Sequence, residues 1–387
     1  MNVSTFRKEA CMGCGMCSNV CPKNAIEMRA NDEGFLEPHI LTDRCIDCSL
    51  CVKKCILSEK TEPSFPTNTQ CYAAIHQNND IQKQSSSGGV FYALACRILE
   101  QGGCVVGAAL DSDMKLSAKI ADSVESLNPL MGSKYIQSDT GNIYKLVSER
   151  LNKGQKVLFS GTPCQCVALD RYLTNAQKEQ LLLCAVFCHG VPSQKAFDSY
   201  LKELQRKYKS KAVSVSFRDK TEGWNRYSMK IVFENGETYI SPANTDPYLR
   251  CMINNIILRK SCFQCKAKHY FPFDIEIGDF WGVDSTAHTN SEDGVSAVVV
   301  YTKKGEDLLR SCSELRLEHA ELSEILNKNM AIKESVQPHK NRDVFYKRLR
   351  SHNFYSMYFK YMYEFYEPLG KRMSNKIKLF VKKRIGR

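Results

Sequence analysis

The sequence predicts an α+β chain in which a small, duplicated cysteine-rich unit precedes a larger mixed α/β body. Three observations predict it. Cys11, Cys14, Cys17 and Cys21 recur 34 residues later as Cys45, Cys48, Cys51 and Cys55, with identical spacing. The stretch from Glu59 to Asn68, with Pro63 and Pro66 among Ser and Thr, reads as a linker after that repeat. Beyond it, apolar runs of helical and strand period alternate. With 387 residues, 43% hydrophobic and 25% charged, the chain can build compact cores, and dominant disorder is excluded.

The repeat comes first. Nineteen cysteines are too many for casual core use. No run of 18 apolar residues exists, and the chain opens on Phe6, Arg7, Lys8 and Glu9, so neither a membrane span nor a signal peptide is expected and a cytoplasmic setting is. In a reducing compartment such cysteines point to metal or cluster ligation rather than disulfides. Three cysteines two residues apart on one tight loop can grip three corners of an iron–sulfur cube, and the fourth ligand must come from elsewhere. In two-cluster ferredoxins the fourth cysteine of each run serves the other cluster. The spacing therefore assigns Cys11, Cys14, Cys17 and Cys55 to one [4Fe-4S] cluster, and Cys45, Cys48, Cys51 and Cys21 to a second. Pro22 follows Cys21 as the pattern asks, whereas Ile56 follows Cys55. Gly13 and Gly15 give the first loop backbone room. Residues 1–58 are thus expected to form a bacterial 2x[4Fe-4S] ferredoxin-like domain, against the weaker readings of a zinc ribbon or an empty scaffold, with 59–68 as linker.

In the body, Val90 to Glu100 has helical period and stops at Gly102 and Gly103. Cys104 to Leu110 and Lys156 to Phe159 read as strands, as do Ala212 to Phe217 and Tyr227 to Phe233, with Asn235 and Gly236 turning into Thr238 to Ile240. Gly294 to Tyr301 reads as a strand and Gly305 to Leu315 as a helix. The expected division is 69–186, 187–340 and an aromatic, basic tail over 341–387. Ser85 to Gly89 places small residues and free N–H groups at the start of the first helix, either as an anion site or as a plain serine cap. No GxGxxG, GxxxxGK[ST] or HExxH occurs, so a Rossmann fingerprint, P-loop hydrolysis and zincin chemistry lack support.

Ser85 to Gly89, Gly132-Ser-Lys-Tyr135, Ser160-Gly-Thr-Pro-Cys-Gln165, Cys188-His-Gly-Val-Pro-Ser193, Cys262-Phe-Gln-Cys265, Gly278-Asp-Phe-Trp-Gly282 and Gly294-Val-Ser296 follow one another in an order that resembles the family of beta subunits of coenzyme F420 hydrogenase and dehydrogenase. The resemblance spans about residues 1–305. It implies a flavoprotein, with FAD rather than FMN standing between iron–sulfur clusters and a two-electron partner. It places the flavin near Ser86, Ser87, Gly88 and Gly89, near Ser133, Lys134 and Tyr135, and near Gly161, Thr162 and Pro163. Lys134, which could stabilise negative charge on reduced flavin, and Asp279, which could orient a cluster loop or a flavin edge, are the catalytic candidates. A third [4Fe-4S] cluster on Cys164, Cys188, Cys262 and Cys265 is expected from the resemblance and from the paired spacing of the last two. A zinc site using His189, unligated cysteines, and Cys166 in place of Cys164 are the competing readings.

The net charge of +12 invites a nucleic-acid reading, but eight of those charges fall in the last 17 residues, so no nucleic acid is expected. Eight aromatics between Phe354 and Tyr366, then Ile377, Phe380, Val381 and Ile385 among the lysines and arginines, suggest a basic amphipathic helix. That helix could touch an anionic membrane, at the inner face, through 371–387, or pack as a surface helix. Arg218, Lys220, Trp224 and Arg226 could face an anionic cofactor or form an ordinary hairpin, and His288 near Asp284 is a possible proton donor. The expected function is an oxidoreductase passing electrons between clusters and FAD, with a ferredoxin-like electron-carrier protein or partner subunit on one side and a small organic or deazaflavin substrate on the other. The alternative is a non-catalytic relay subunit of a larger redox complex.

Overall fold

The computed structural model of the chain describes residues 1–59, 66, 69–283 and 292–362. Most of the linker, the His288 region and the basic tail from 363 onward, including 371–387, lie outside the described residues. In the first unit, β1 (Ile26–Ala30) and β2 (Leu36–Ile40) form an antiparallel hairpin with Ile26 opposite Ile40. Each cysteine run opens a short helix, Met16–Val20 or Leu50–Lys54. The two loops share a conformation: Gly13 and Gly15 have φ of +64° and +73°, and their counterparts Asp47 and Ser49 have +49° and +62°. Only the first loop requires glycine for space. A Cβ at Gly15 would stand 2.0 Å from Thr140 Oγ1 and one at Gly13 2.3 Å from Gln137 Nε2, because the body packs against that loop.

The body is built on an eight-stranded mixed sheet. Its strands are β3 (Gln70–His76), β4 (Cys104–Leu110), β5 (Leu116–Ala121), β6 (Val157–Gly161), β7 (Leu181–Val186), β11 (Ile275–Asp279), β12 (Ser296–Val300) and β13 (Leu315–Ala320). Their order is β13-β3-β12-β11-β7-β6-β4-β5, with β4, β6, β7 and β11 parallel and antiparallel strands outside them. A second, antiparallel sheet joins β8 (Ala212–Asp219), β9 (Ser228–Phe233) and β10 (Thr238–Pro242). The parallel strands are apolar runs buried on both faces, as Leu181 to Ala185 illustrates. The helix Val90–Glu100 and β4 stand where the period placed them. The helix expected to reach Leu315 ends at Ser311, after which β13 joins the sheet edge. Arg342–Leu349 and Phe354–Tyr361 are helices whose Phe345, Tyr346, Phe354 and Tyr358 pack in one cluster with Phe197, Tyr200 and Tyr248. No helix among the described residues is long and apolar enough to cross a membrane.

One carboxyl lies inside the main sheet. Glu276 of β11 is 2% exposed and accepts a hydrogen bond from the Tyr301 hydroxyl at 2.8 Å. Burial pushes its carboxyl up to about 7, from 4.5. The folded chain therefore keeps this proton up to about pH 7, whereas the unfolded chain releases it near 4.5. Stability is lost as pH rises through that window. Glu276→Gln should remove this loss and be more stable than wild type at pH 8 by on the order of 3 kcal/mol, with little difference at pH 4.5. Anaerobic unfolding by urea at both pH values measures this, and a gain of equal size at pH 4.5 would contradict it.

Candidate functional site

The structure gathers the twelve cysteines singled out in the sequence into three sets. Burial above all drives the Cys14 and Cys17 thiols well up; Cys14 lies in the field of Cys55, Cys17 and Cys11, and Cys17 in that of Cys11, Cys55 and Cys51. Cys21, Cys45, Cys48 and Cys51 line one small pocket together with Pro22, Ile46 and Leu50. The fourth cysteine of each run thus lies with the first three of the other. The two sets differ in exposure. Cys48 is exposed, whereas Cys14 is walled in by the body: Tyr144 and Thr140 donate to its carbonyl at 2.7 and 3.3 Å, and Arg259 Nε donates to that of Cys11 at 2.7 Å.

The third set forms where β6, β7 and a turn of 3-10 helix meet. Cys164 sits in the first turn of the helix Pro163–Tyr172, Cys188 just beyond β7, and Cys262 and Cys265 in and after the turn Lys260–Gln264. Burial drives the Cys164 and Cys188 thiols well up; Cys262 and Cys265 raise both further, and Cys164 adds to the shift of Cys188. Burial likewise pushes Cys262 up to about 11. Cys164 also lies in the field of Cys14, so the third set adjoins the first. Cys166 turns away: its Sγ donates to the Gly161 carbonyl, and its strongest thiol neighbour is Cys184. His189 is bonded to Asn255 Oδ1 at 2.6 Å. Among the described residues no three His, Cys, Asp or Glu side chains are grouped as a single metal ion requires. The donor sets fit clusters, because buried thiols resist ionisation until iron takes their charge.

The remaining site residues lie in the turn before the helix Val90–Glu100, in 132–135, and in the segment between β6 and Cys164. Ser86 Oγ accepts from the Ser133 N–H at 2.6 Å and lies 2.8 Å from its hydroxyl, tying the first turn to 132–135. Ser87 Oγ donates to Val295 O and Gly88 N–H to Ser296 Oγ, so these two groups are engaged by β12 and its approach. A Cβ on Gly88 would meet the Ala74 carbonyl at 2.1 Å. Gly89, φ +91°, starts the helix. Burial pulls the Lys134 ammonium down to about 7, and it donates to the Pro129 and Met131 carbonyls at 2.8 and 2.7 Å. Thr162 and Gln165 form a capping box that fixes Gly161 to Pro163 immediately before Cys164.

The sequence grouped Arg218 with Trp224 and set Asp279 apart; the structure joins all three. Arg218 holds Asp279 through Nη1 and Nη2 at 2.7 and 2.9 Å, and Trp224 Nε1 donates to the same carboxylate at 2.7 Å. The guanidinium lies 4.2 Å from the Tyr227 ring centre and 5.1 Å from that of Trp281, which stacks on Trp224. Tyr135 OH reaches Arg218 at 3.4 Å, linking this cage to 132–135. Lys220, another member of that basic group, donates to the Gln82 and Ser87 carbonyls and so braces the serine turn. Lys268 and Glu276 were not foreseen. A cation three residues after Cys265 was the available signal for Lys268, and nothing in the alternation of β11 marks Glu276 as special.

Models of the coenzyme F420 hydrogenase/dehydrogenase beta subunit match residues 71–145, for its N-terminal part, and 154–324, for its C terminus; a 4Fe-4S dicluster domain matches 10–57. The chain is 23% identical over 193 residues to a subunit of the F(420)H(2) dehydrogenase of Methanosarcina mazei, a match covering 47% of this chain and 54% of that protein. It is 26% identical over 341 residues to an uncharacterized protein of Methanocaldococcus jannaschii, covering 78% of this chain and 86% of that one. Among solved structures it is similar to a chain of the F420-reducing [NiFe] hydrogenase complex of Methanosarcina barkeri, at 19% identity and a TM-score of 0.47, over 72% of this chain and 91% of that one.

Proposed function

Because this chain belongs to the family of coenzyme F420 hydrogenase/dehydrogenase beta subunits and carries a 4Fe-4S dicluster domain, we propose that it is an iron–sulfur flavoprotein oxidoreductase with three [4Fe-4S] clusters and FAD. The observation that carries this reading is the row of thiol sets: one reaching the surface at Cys48, one held against the body at Cys14, and one at Cys164 beside Cys14. Bound clusters would supply one-electron exchange, and bound flavin the conversion to two-electron chemistry. The chain's own part is to hold and insulate them. Tyr144, Thr140 and Arg259 fix the loop carrying Cys11 and Cys14 to the body, which sets the spacing between the first and third sets. Gly161 to Pro163 runs directly into Cys164, so the segment assigned to flavin and that assigned to the third cluster are neighbours in the chain.

The region of Ser86, Ser133 and Lys134 fits an anionic, pyrophosphate-bearing group: hydroxyls of two loops converge there, and a nearby half-buried ammonium has no carboxylate partner among the described residues. A small organic or deazaflavin substrate on one side, and a ferredoxin-like carrier or partner subunit on the other, complete the reading. The name of the Methanosarcina mazei relative, one subunit of a dehydrogenase, supports the partner subunit. Anaerobically purified protein should contain about twelve irons and one FAD per chain. Cys265→Ser should lower iron to about eight and leave the spectroscopic signals of the N-terminal pair in place. Eight irons with one zinc in the wild type would overturn the third cluster, and absence of flavin would leave a relay subunit.

A further inference from the structure

We propose that Lys268 is a built-in counter-charge for the third thiol set, a positioning residue that keeps the cluster there easier to reduce than its thiolates alone would allow. The inference rests on the proposed third cluster. Lys268 is 5% exposed in the 3-10 turn Lys266–His269, which begins directly after Cys265. Its ammonium is held in place by the chain: it donates to the Ala331 and Glu334 carbonyls, the latter at 2.9 Å. The same segment binds Cys265, whose N–H donates to Ser335 Oγ at 2.9 Å. Cation and thiol are therefore clamped by one piece of backbone.

No carboxylate forms an ion pair with Lys268 among the described residues. Glu276 lies within its field but bonds Tyr301, and burial favours its neutral form. A buried ammonium without a counter-ion is costly, and a cysteine set that becomes anionic on binding iron removes the cost. The orientation is specific. Against the dominant effect of burial, Lys268 lowers the thiols of Cys188, Cys262 and Cys265. Cys164, by contrast, lies on the side of Cys14. Two other cations near the thiol sets are committed: Arg171 pairs with Glu59 at 2.7 Å, and Arg259 approaches Glu37 at 3.9 Å. Each added electron makes a cluster more negative, and a fixed cation in low dielectric favours that state.

The test uses the full-length, anaerobically purified protein and its redox titration followed by electron paramagnetic resonance. Lys268→Gln keeps a donor for the two carbonyls and removes the charge; Lys268→Arg keeps the charge. At a potential where the wild-type third cluster is half reduced, Lys268→Gln should lower its reduced-to-oxidised ratio by about tenfold. The N-terminal signals should stay put, and Lys268→Arg should restore most of the ratio. Twelve irons with an unmoved ratio in Lys268→Gln would overturn the role of Lys268 alone. A ratio shifted equally in both variants would also overturn it, since packing rather than charge would then be responsible. Eight irons in the wild type would overturn the underlying third cluster and this inference together.

Discussion

Cys14→Ser should abolish reduction of the bound flavin by a low-potential ferredoxin while leaving the third cluster and the flavin in place. Cys14 occupies the joint of the molecule. It belongs to the set held against the body, and it is the N-terminal cysteine whose field reaches Cys164. Electrons arriving at the exposed set of Cys48 would have to cross the Cys14 set before reaching the third. The measurement is flavin absorbance after mixing with reduced ferredoxin under anaerobic conditions. Wild type should bleach; Cys14→Ser and the Cys14→Ser, Cys265→Ser double variant should not, although dithionite should still bleach any flavin they bind. Iron content and the third-cluster signal in the single variant separate a cut path from a misfolded protein. Bleaching at the wild-type rate in the double variant would remove the cluster-to-flavin path and leave the flavin served from another side.

What could be read from the sequence follows the range of each signal. The CxxCxxCxxxC repeat carries its geometry locally, so the grouping of the first eight cysteines was legible before any fold was known. The helix Val90–Glu100 was legible because its glycine stop and apolar period are also local. The glycines of the first loop were read as room for a cluster, yet Asp47 and Ser49 take the same left-handed backbone. What distinguishes Gly13 and Gly15 is the approach of Gln137 and Thr140, contacts over more than 120 residues that no local pattern encodes. The short strands β7 and β11 follow cysteine motifs in runs too brief to distinguish from buried helix by period. Lys268 remained hidden for a similar reason, since its meaning depends on backbone carbonyls 63 and 66 residues away.

The Arg218–Asp279 pair shows how far a residue's role depends on such long-range contacts, and breaking it should cost the protein much of its stability. Asp279 stands in a motif that suggests chemistry, but both its oxygens are bound, one by Arg218 alone and one by Arg218 and Trp224. Its geometry suits an orienting group rather than a mobile proton carrier. The Arg218 side chain is 3% exposed and its partner 16%. Removing the cation alone would strand a largely buried carboxylate and empty the cage of Tyr227 and Trp281. Arg218→Ala should therefore destabilise the protein by about 3 kcal/mol, the lower end for broken buried pairs because Asp279 keeps some contact with water. The double variant Arg218→Met, Asp279→Asn removes both charges and fills the cage, and it should recover most of the loss. Urea unfolding under anaerobic conditions of Arg218→Ala, and of wild type, Arg218→Met, Asp279→Asn and their double variant as a closed cycle, measures the loss and the coupling. A loss below about 1 kcal/mol for Arg218→Ala, the range of exposed pairs, would show that water already screens the carboxylate. In that case Asp279 would regain standing as a group able to exchange protons with a bound substrate.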